Sequence, residues 1–191
     1  MSPDGRSENP DKPATARVFF GLWPTPEQAA LLANIGNEAA LRFGGKPTRL
    51  ETVHLTLAFL GDVPVTRLPE LCDVAASLQF QPFELSIDQL GCWAHKHLLW
   101  AGCRNAPPGL LALVINLREA LAAAGFSVAG RGHGFTPHVT LVRKLPLVVF
   151  SDSFQKLPCV APLRWQCASF DLIGSKLSSD GSAYRVIASF P

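Results

Sequence analysis

Two short stretches carry the residues best suited to chemistry, His54-Leu55-Thr56-Leu57 and His138-Val139-Thr140-Leu141. Each sets a His, an apolar residue, a Thr and a Leu in an apolar run that reads as a β-strand. Side chains alternate faces along a strand, so His54 and Thr56 share one side and Leu55 and Leu57 the other. His138 and Thr140 stand in the same relation to Val139 and Leu141. One face of each strand then belongs to a core, and the other presents an imidazole and a hydroxyl. Two such strands facing each other converge two histidines and two threonines on one small ligand. With an ordinary pKa of about 6.5, histidine gives and takes protons near neutrality. A positioned acid–base group contributes about 10²–10⁴ in rate. A threonine hydroxyl two positions on is a short, rigid donor for an oxygen on which charge develops.

This set suits phosphodiester displacement. One group activates water, the water attacks phosphorus in line, and the second group protonates the departing oxygen. A strained five-membered cyclic phosphate is a fitting substrate, because it needs less Lewis-acid help than an ordinary diester. His95, His97 and His133 have no Thr two positions later, so the repeated His-x-Thr is not a habit of the composition. The His95-Lys96-His97 run lacks a third ligand and reads as a polar hairpin turn. No metal and no cofactor is expected. Ser175 and Ser178 do not sit in a nucleophile elbow.

The motifs need elements to hold them. An apolar run at 17–23 reads as a central strand. Thr25 as N-cap and Pro26 at the first helical position open a helix to about Phe43, ended by Gly44-Gly45, with Leu31, Leu32, Ile35 and Ala39 as its apolar stripe. The first motif strand is expected at 53–60, closed by Gly61-Asp62, with a helix following at 68–78. Residues 83–90 read as one strand whose alternation slips near its end, and 97–103 as its hairpin partner. Pro107-Pro108 opens an Ala- and Leu-rich helix through Ala124. The glycine-rich loop at 130–134 precedes the second motif strand, 137–142. Late strands are expected at 163–173 and 183–190, with Ser179-Asp180-Gly181 as a hairpin signal between them. The order suggests a duplication in which each half supplies one long helix and one motif strand. The fold class is α+β, with helices on antiparallel-rich sheets.

The bulk composition sets limits. The chain has 191 residues, 48% hydrophobic and 17% charged, which is globular composition far from disorder. A formal net charge of +2 neither demands nor excludes an anionic partner. Five scattered cysteines without a Cys-x-x-Cys pair argue against a disulfide framework and a zinc motif, and read as mostly buried thiols in a reducing compartment. No apolar stretch approaches the roughly 20 residues needed to span a bilayer. Residues 1–14 are polar and read as a disordered tail on a cytoplasmic protein, leaving 15–191 as a single domain, expected as a monomer without membrane association.

The residues His54-Leu55-Thr56-Leu57-Ala58-Phe59-Leu60-Gly61 and Phe135-Thr136-Pro137-His138-Val139-Thr140-Leu141-Val142-Arg143 resemble the two signature motifs of the two-histidine phosphoesterase superfamily. Within it they are most similar to the RNA 2',3'-cyclic phosphodiesterases, historically called 2'-5' RNA ligases. The opening Arg17-Val18-Phe19-Phe20-Gly21-Leu22 and the late Tyr184-Arg185-Val186 share the likeness, which covers roughly residues 16 to 190. The resemblance implies a bilobal fold of two similar lobes around a central cleft. It also implies metal-independent hydrolysis of RNA 2',3'-cyclic phosphate ends to 2'-phosphomonoesters. The catalytic residues would be His54, His138, Thr56 and Thr140, with His54 as acid and His138 as base; the two motifs are chemically equivalent by sequence.

Arg143, directly after the second motif, is a candidate phosphate ligand through its planar fork. Strict alternation puts it on the core side, and only a bulge or the strand end would turn it to the cleft. Phe135 is a candidate for stacking on a terminal base, with a core position as its bland alternative. Arg131, in the glycine-rich loop, could close over an RNA end. Arg49 and Lys46, ahead of the first motif, could face an RNA backbone; solvated surface charge is the plain alternative. The competing functions are a phosphodiesterase for a small cyclic-phosphate nucleotide, ligation as the reverse reaction, a nucleotide- or RNA-binding module without turnover, and a metal-dependent hydrolase.

Overall fold

A computed structural model of the chain describes residues 13–130, 134–146, 161–178 and 181–191. Residues 1–12 of the expected tail, together with Arg131, His133 and Cys159, lie outside the described residues. At the tail boundary, the Ala14 carbonyl accepts a hydrogen bond from the Val65 amide at 2.8 Å.

The chain runs β1 (Thr15–Leu22), α1 (Pro26–Phe43), β2 (Lys46–Pro47), β3 (Leu55–Pro64), α2 (Leu68–Ala76), β4 (Phe83–Ile87), β5 (Gln89–Trp93) and β6 (Leu98–Gly102). It continues with α3 (Pro108–Ala123), β7 (His138–Arg143), β8 (Leu163–Cys167), β9 (Phe170–Ser178) and β10 (Gly181–Phe190). The large sheet has the order β10-β9-β1-β3-β7-β6-β5, with β2 paired to β7, and β4 and β8 form a separate two-stranded sheet. The strand pairs are antiparallel. Together they make the α+β architecture that the alternating periods imply. No helix among the described residues is long and apolar enough to cross a membrane.

Local chemistry accounts for the first long helix. The Thr25 hydroxyl accepts from the Gln28 amide at 3.3 Å while the Gln28 side chain accepts from the Thr25 amide at 2.9 Å. This reciprocal capping box satisfies two donors that a helix start leaves unpaired. The buried stripe of α1 is Ala29, Leu32, Ala33 and Gly36, whereas Leu31, expected on it, is 54% exposed. At Gly36 a Cβ would meet the Leu141 carbonyl oxygen at 2.9 Å, so glycine lets α1 close on the second motif strand. On the other long helix, the Arg118 Nε donates to the Leu57 carbonyl at 3.0 Å, tying α3 to the first motif strand.

Three strand expectations need correction. β3 does not close at Gly61-Asp62 but runs on to Pro64. Leu60 is left without a partner between the pairs Phe19–Phe59 and Val18–Gly61, and Gly61 takes a positive φ of 73°, so the glycine serves a β-bulge rather than a turn. The expected strand at 83–90 is two strands. Its slip marks Asp88, where the chain passes from the small sheet to the large one, and β6 pairs with β5, not with β4. The expected strand at 163–173 likewise divides into β8, paired with β4, and β9, paired with β1 and β10. Alternation reports which face a residue occupies, and it carries no information on which sheet a strand joins.

The core lies between the large sheet and the helices, where Leu55, Leu57, Val139 and Leu141 meet Leu32, Leu110, Leu117 and Leu121, all at most 1% exposed. Of the four described thiols only Cys167 is buried; Cys72, Cys92 and Cys103 are half-buried, and all four are free. Burial pushes the Cys167 thiol up to about 12, leaving it an apolar filler.

Candidate active site

β3 and β7 pair through Leu55 opposite Val139, both fully buried. Extending that antiparallel register by one residue each way sets His54 level with Thr140 and Thr56 level with His138, all four on the face away from the core. The repeated motif thus becomes one diagonal arrangement of two imidazoles and two hydroxyls.

Each histidine is held by the carbonyl two residues before it. His54 Nδ1 donates to the Thr52 carbonyl at 2.7 Å, and His138 Nδ1 donates to the Thr136 carbonyl at 2.8 Å. A carbonyl can only accept, so the neutral ring keeps its proton on Nδ1 and offers Nε2 as the acceptor. His54 Nε2 accepts from the Thr56 hydroxyl at 3.1 Å. Thr52 and Thr136 were missed from sequence. Their signal was present in the longer repeat Thr-x-His-x-Thr, spelled by residues 52–56 and 136–140.

The rings around the pair come from distant elements. His54 packs against Phe19 of β1 at 4.8 Å, Trp23 at 5.2 Å and the edge of Tyr184 of β10 at 5.2 Å. Burial pushes its pKa down to about 4, opposed by the Thr52 hydrogen bond and assisted by the charges of Arg143 and His138. His138 meets the edge of Trp93 at 4.6 Å. Burial lowers its pKa too, opposed by the bond to Thr136 and assisted by Lys96 and Arg143. Lys96 lies over the Trp93 ring at 4.6 Å. Nothing in the local sequence marks Phe19, Trp23, Trp93 or Tyr184 as neighbours of the histidines.

Arg143 reaches the cleft side. Trp100 pairs with Thr140 and Leu99 with Val142, which leaves Leu141 bulged out of register. Leu141 and Val142 are consequently both buried, parity is reset, and Arg143 is exposed with its charge felt by both histidines. Phe135 is half-buried, with the Arg118 guanidinium 5.0 Å over its ring, and it lines a cleft of about 500 Å³ together with Thr56, Trp93 and His138. Arg49 lies on the opposite side of His54, where its guanidinium donates to the Ser182 carbonyl and lines a smaller pocket with Arg143 and Tyr184. Arg131 lies outside the described residues. Among the described residues no three His, Cys, Asp or Glu side chains converge as metal ligands. His97 Nδ1 donates to the Leu145 carbonyl at 2.8 Å, within the turn between β5 and β6.

The family model described as LigT like phosphoesterase matches residues 22–100. The RNA 2',3'-cyclic phosphodiesterase of Escherichia coli K12 is 36% identical over 99 residues, 52% of this chain and 55% of that protein. The protein of the same name from Geobacillus stearothermophilus is 35% identical over 99 residues and 31% of its length, so the chain aligns with about half or less of these two relatives. The Thermus thermophilus protein of that name aligns over 182 residues at 27% identity, 91% of this chain and 89% of that one. Among solved structures, Escherichia coli LigT complexed with 3'-AMP superposes with a TM-score of 0.78 at 25% identity, covering 92% of this chain and 97% of the other. TT0787 of Thermus thermophilus gives 0.72 at 26% identity, covering 91% and 96%. With two His-x-Thr strands paired side by side and this likeness along nearly the whole folded chain, the protein is similar in fold and in its first half to the LigT-like phosphoesterases.

Proposed function

We propose that this chain hydrolyses RNA 2',3'-cyclic phosphate ends to 2'-phosphomonoesters by paired-histidine acid–base catalysis. The carrying observation is the pair of imidazoles on one cleft face, each fixed through Nδ1 with Nε2 as its working nitrogen. The shared name of the relatives supports the substrate class.

In the proposed step, His138 Nε2 takes a proton from water as the oxygen attacks phosphorus. The P–O3' bond breaks, and the departing 3'-oxygen receives a proton from His54 Nε2. The 2'-ester bond survives, which leaves a 2'-phosphate. Thr56, Thr140 and Arg143 donate to the phosphoryl oxygens as charge gathers on them. Burial favours the neutral form at both histidines, most strongly at His54. The acid role at His54 therefore depends on the anionic phosphate, which draws a proton to the ring it faces. The reverse step, a 2'-5' joining of RNA ends, uses the same groups, with water at bulk concentration favouring hydrolysis.

Residues 15–191 are proposed as one bilobal catalytic domain, cytoplasmic and monomeric, working without a metal. Incubation with a short RNA ending in a 2',3'-cyclic phosphate, in the presence of EDTA, tests the reading. A 2'-phosphate product lost in His54→Ala and His138→Ala is the expected result. A 3'-phosphate product reverses which ester bond breaks. No turnover points to a small cyclic nucleotide or to a binding module.

A further inference from the structure

The pocket on the far side of His54 is built from like charges. The register of β2 with β7 sets Lys46 directly opposite Arg143. Like charges facing each other across antiparallel strands are destabilising. Among the described residues neither cation forms an ion pair. Arg49 adds a third positive charge, and no described carboxylate lines the pocket, which holds about 160 Å³. The Thr48 hydroxyl in its wall is buried without a hydrogen-bond partner. A cluster held together at electrostatic cost, with an unsatisfied donor beside it, is complementary to an anion.

Its position says which anion. Thr52 and Tyr184 line this pocket, and the same two residues hold His54, one by its carbonyl and the other by its ring edge. On the other side of the histidine pair, the larger cleft with Trp93 and Phe135 is aromatic and roomy enough for a nucleoside. A ligand whose reacting phosphate lies between the histidines therefore has an aromatic pocket to one side and a basic pocket to the other.

We propose that Lys46 and Arg49, in the pocket that Arg143 borders on the side of the reacting phosphate, bind the internucleotide phosphate next to the terminal cyclic phosphate, so that the preferred substrate is an RNA end of at least two nucleotides rather than a mononucleotide. This rests on the hydrolytic function proposed above. A mononucleoside 2',3'-cyclic phosphate carries only the charge that the histidines, the threonines and Arg143 meet, and leaves Lys46 and Arg49 without a phosphate.

Three substrates test it: a nucleoside 2',3'-cyclic phosphate, a dinucleotide ending in the cyclic phosphate, and that dinucleotide with a neutral methylphosphonate link. The dinucleotide is expected to exceed the other two in kcat/KM by about tenfold, the scale of one charge-assisted contact. Its kcat/KM should also fall more steeply with salt, by about 0.7 in log–log slope for the added phosphate. In Lys46→Glu the ratio of dinucleotide to mononucleotide kcat/KM should collapse towards one. A ratio is used because damage to folding lowers both substrates together. Equal turnover of all three by the unaltered protein, or an unchanged ratio in Lys46→Glu, overturns this inference and leaves the hydrolytic reading standing. Turnover of none of them removes both.

Discussion

His54 and His138 occupy the same place in the same five-residue pattern and are tethered by the same backbone acceptor, yet their surroundings differ. Among the described residues three aromatic rings pack on His54, and its Nε2 is engaged by Thr56. Among the same residues one ring edge meets His138, with Lys96 nearby, and its strand opens on the larger cleft. The motif fixes the tautomer of each histidine, because the carbonyl two residues back lies in the short segment that leads into each motif strand. The proton affinity is set by packing, because desolvation depends on what the rest of the chain brings to the ring. Two chemically equivalent motifs thereby become two different acid–base groups.

The sharpest way to break this comparison is to remove each histidine. His54→Ala and His138→Ala should each lower kcat/KM on a 2',3'-cyclic RNA end by about 10²–10⁴. If either variant retains more than a tenth of the activity, that imidazole is not an acid–base group. Removing a hydroxyl should cost less: Thr56→Val and Thr140→Val are each expected to lose about 10² in kcat, the scale of one oxyanion donor. Equal losses at both positions would extend the symmetry of the motif to phosphate binding.

Stability gives a third contrast. The pKa of His54 is lower in the folded chain, about 4, than its ordinary 6.5. Protonation therefore favours unfolding, and the stability due to the neutral ring is full above about pH 6.5 and lost as pH falls towards 4. The loss should be about 2 kcal/mol, with partial solvent access holding it below the full linkage value. Denaturant titrations of the wild type and His54→Gln between pH 7 and 4 would measure it, and parallel curves would show that His54 contributes nothing.

The smallest effect concerns the shape of the pH–rate profile. Both pKa values are lowered in the free site, so the bell in kcat/KM should lie on the acid side of 6.5, its limbs belonging to the pair. Tyr184→Leu should readmit water to His54 and shift its NMR titration upward while leaving that of His138 in place. A shift of both rings together would mean that the two environments are coupled more tightly than the packing indicates.

Much of the framework was written in the residues. The Thr25–Gln28 capping box, the limits of α1 and the parity of both motif strands follow from interactions within a few residues. The strand corrections at Asp88, at Gly61 and between β8 and β9 arose where the chain changes sheet or bulges, which depends on partners distant in sequence. Arg143 is the instructive residue: alternation buries it, and the bulge at Leu141 against β6 returns it to the cleft.

By itself, then, the sequence determined the chemistry: two His-x-Thr faces, their apolar backs, and the carbonyls that orient the rings. All of these are local consequences of residue type, of strand period and of the few residues that lead into each motif strand. Only the tertiary structure decided that Leu55 meets Val139, that Phe19, Trp23 and Tyr184 desolvate one histidine more than the other, and that Lys46 faces Arg143. Those facts join residues far apart in the chain, and their energies come from burial and charge proximity, which exist only once the strands have paired.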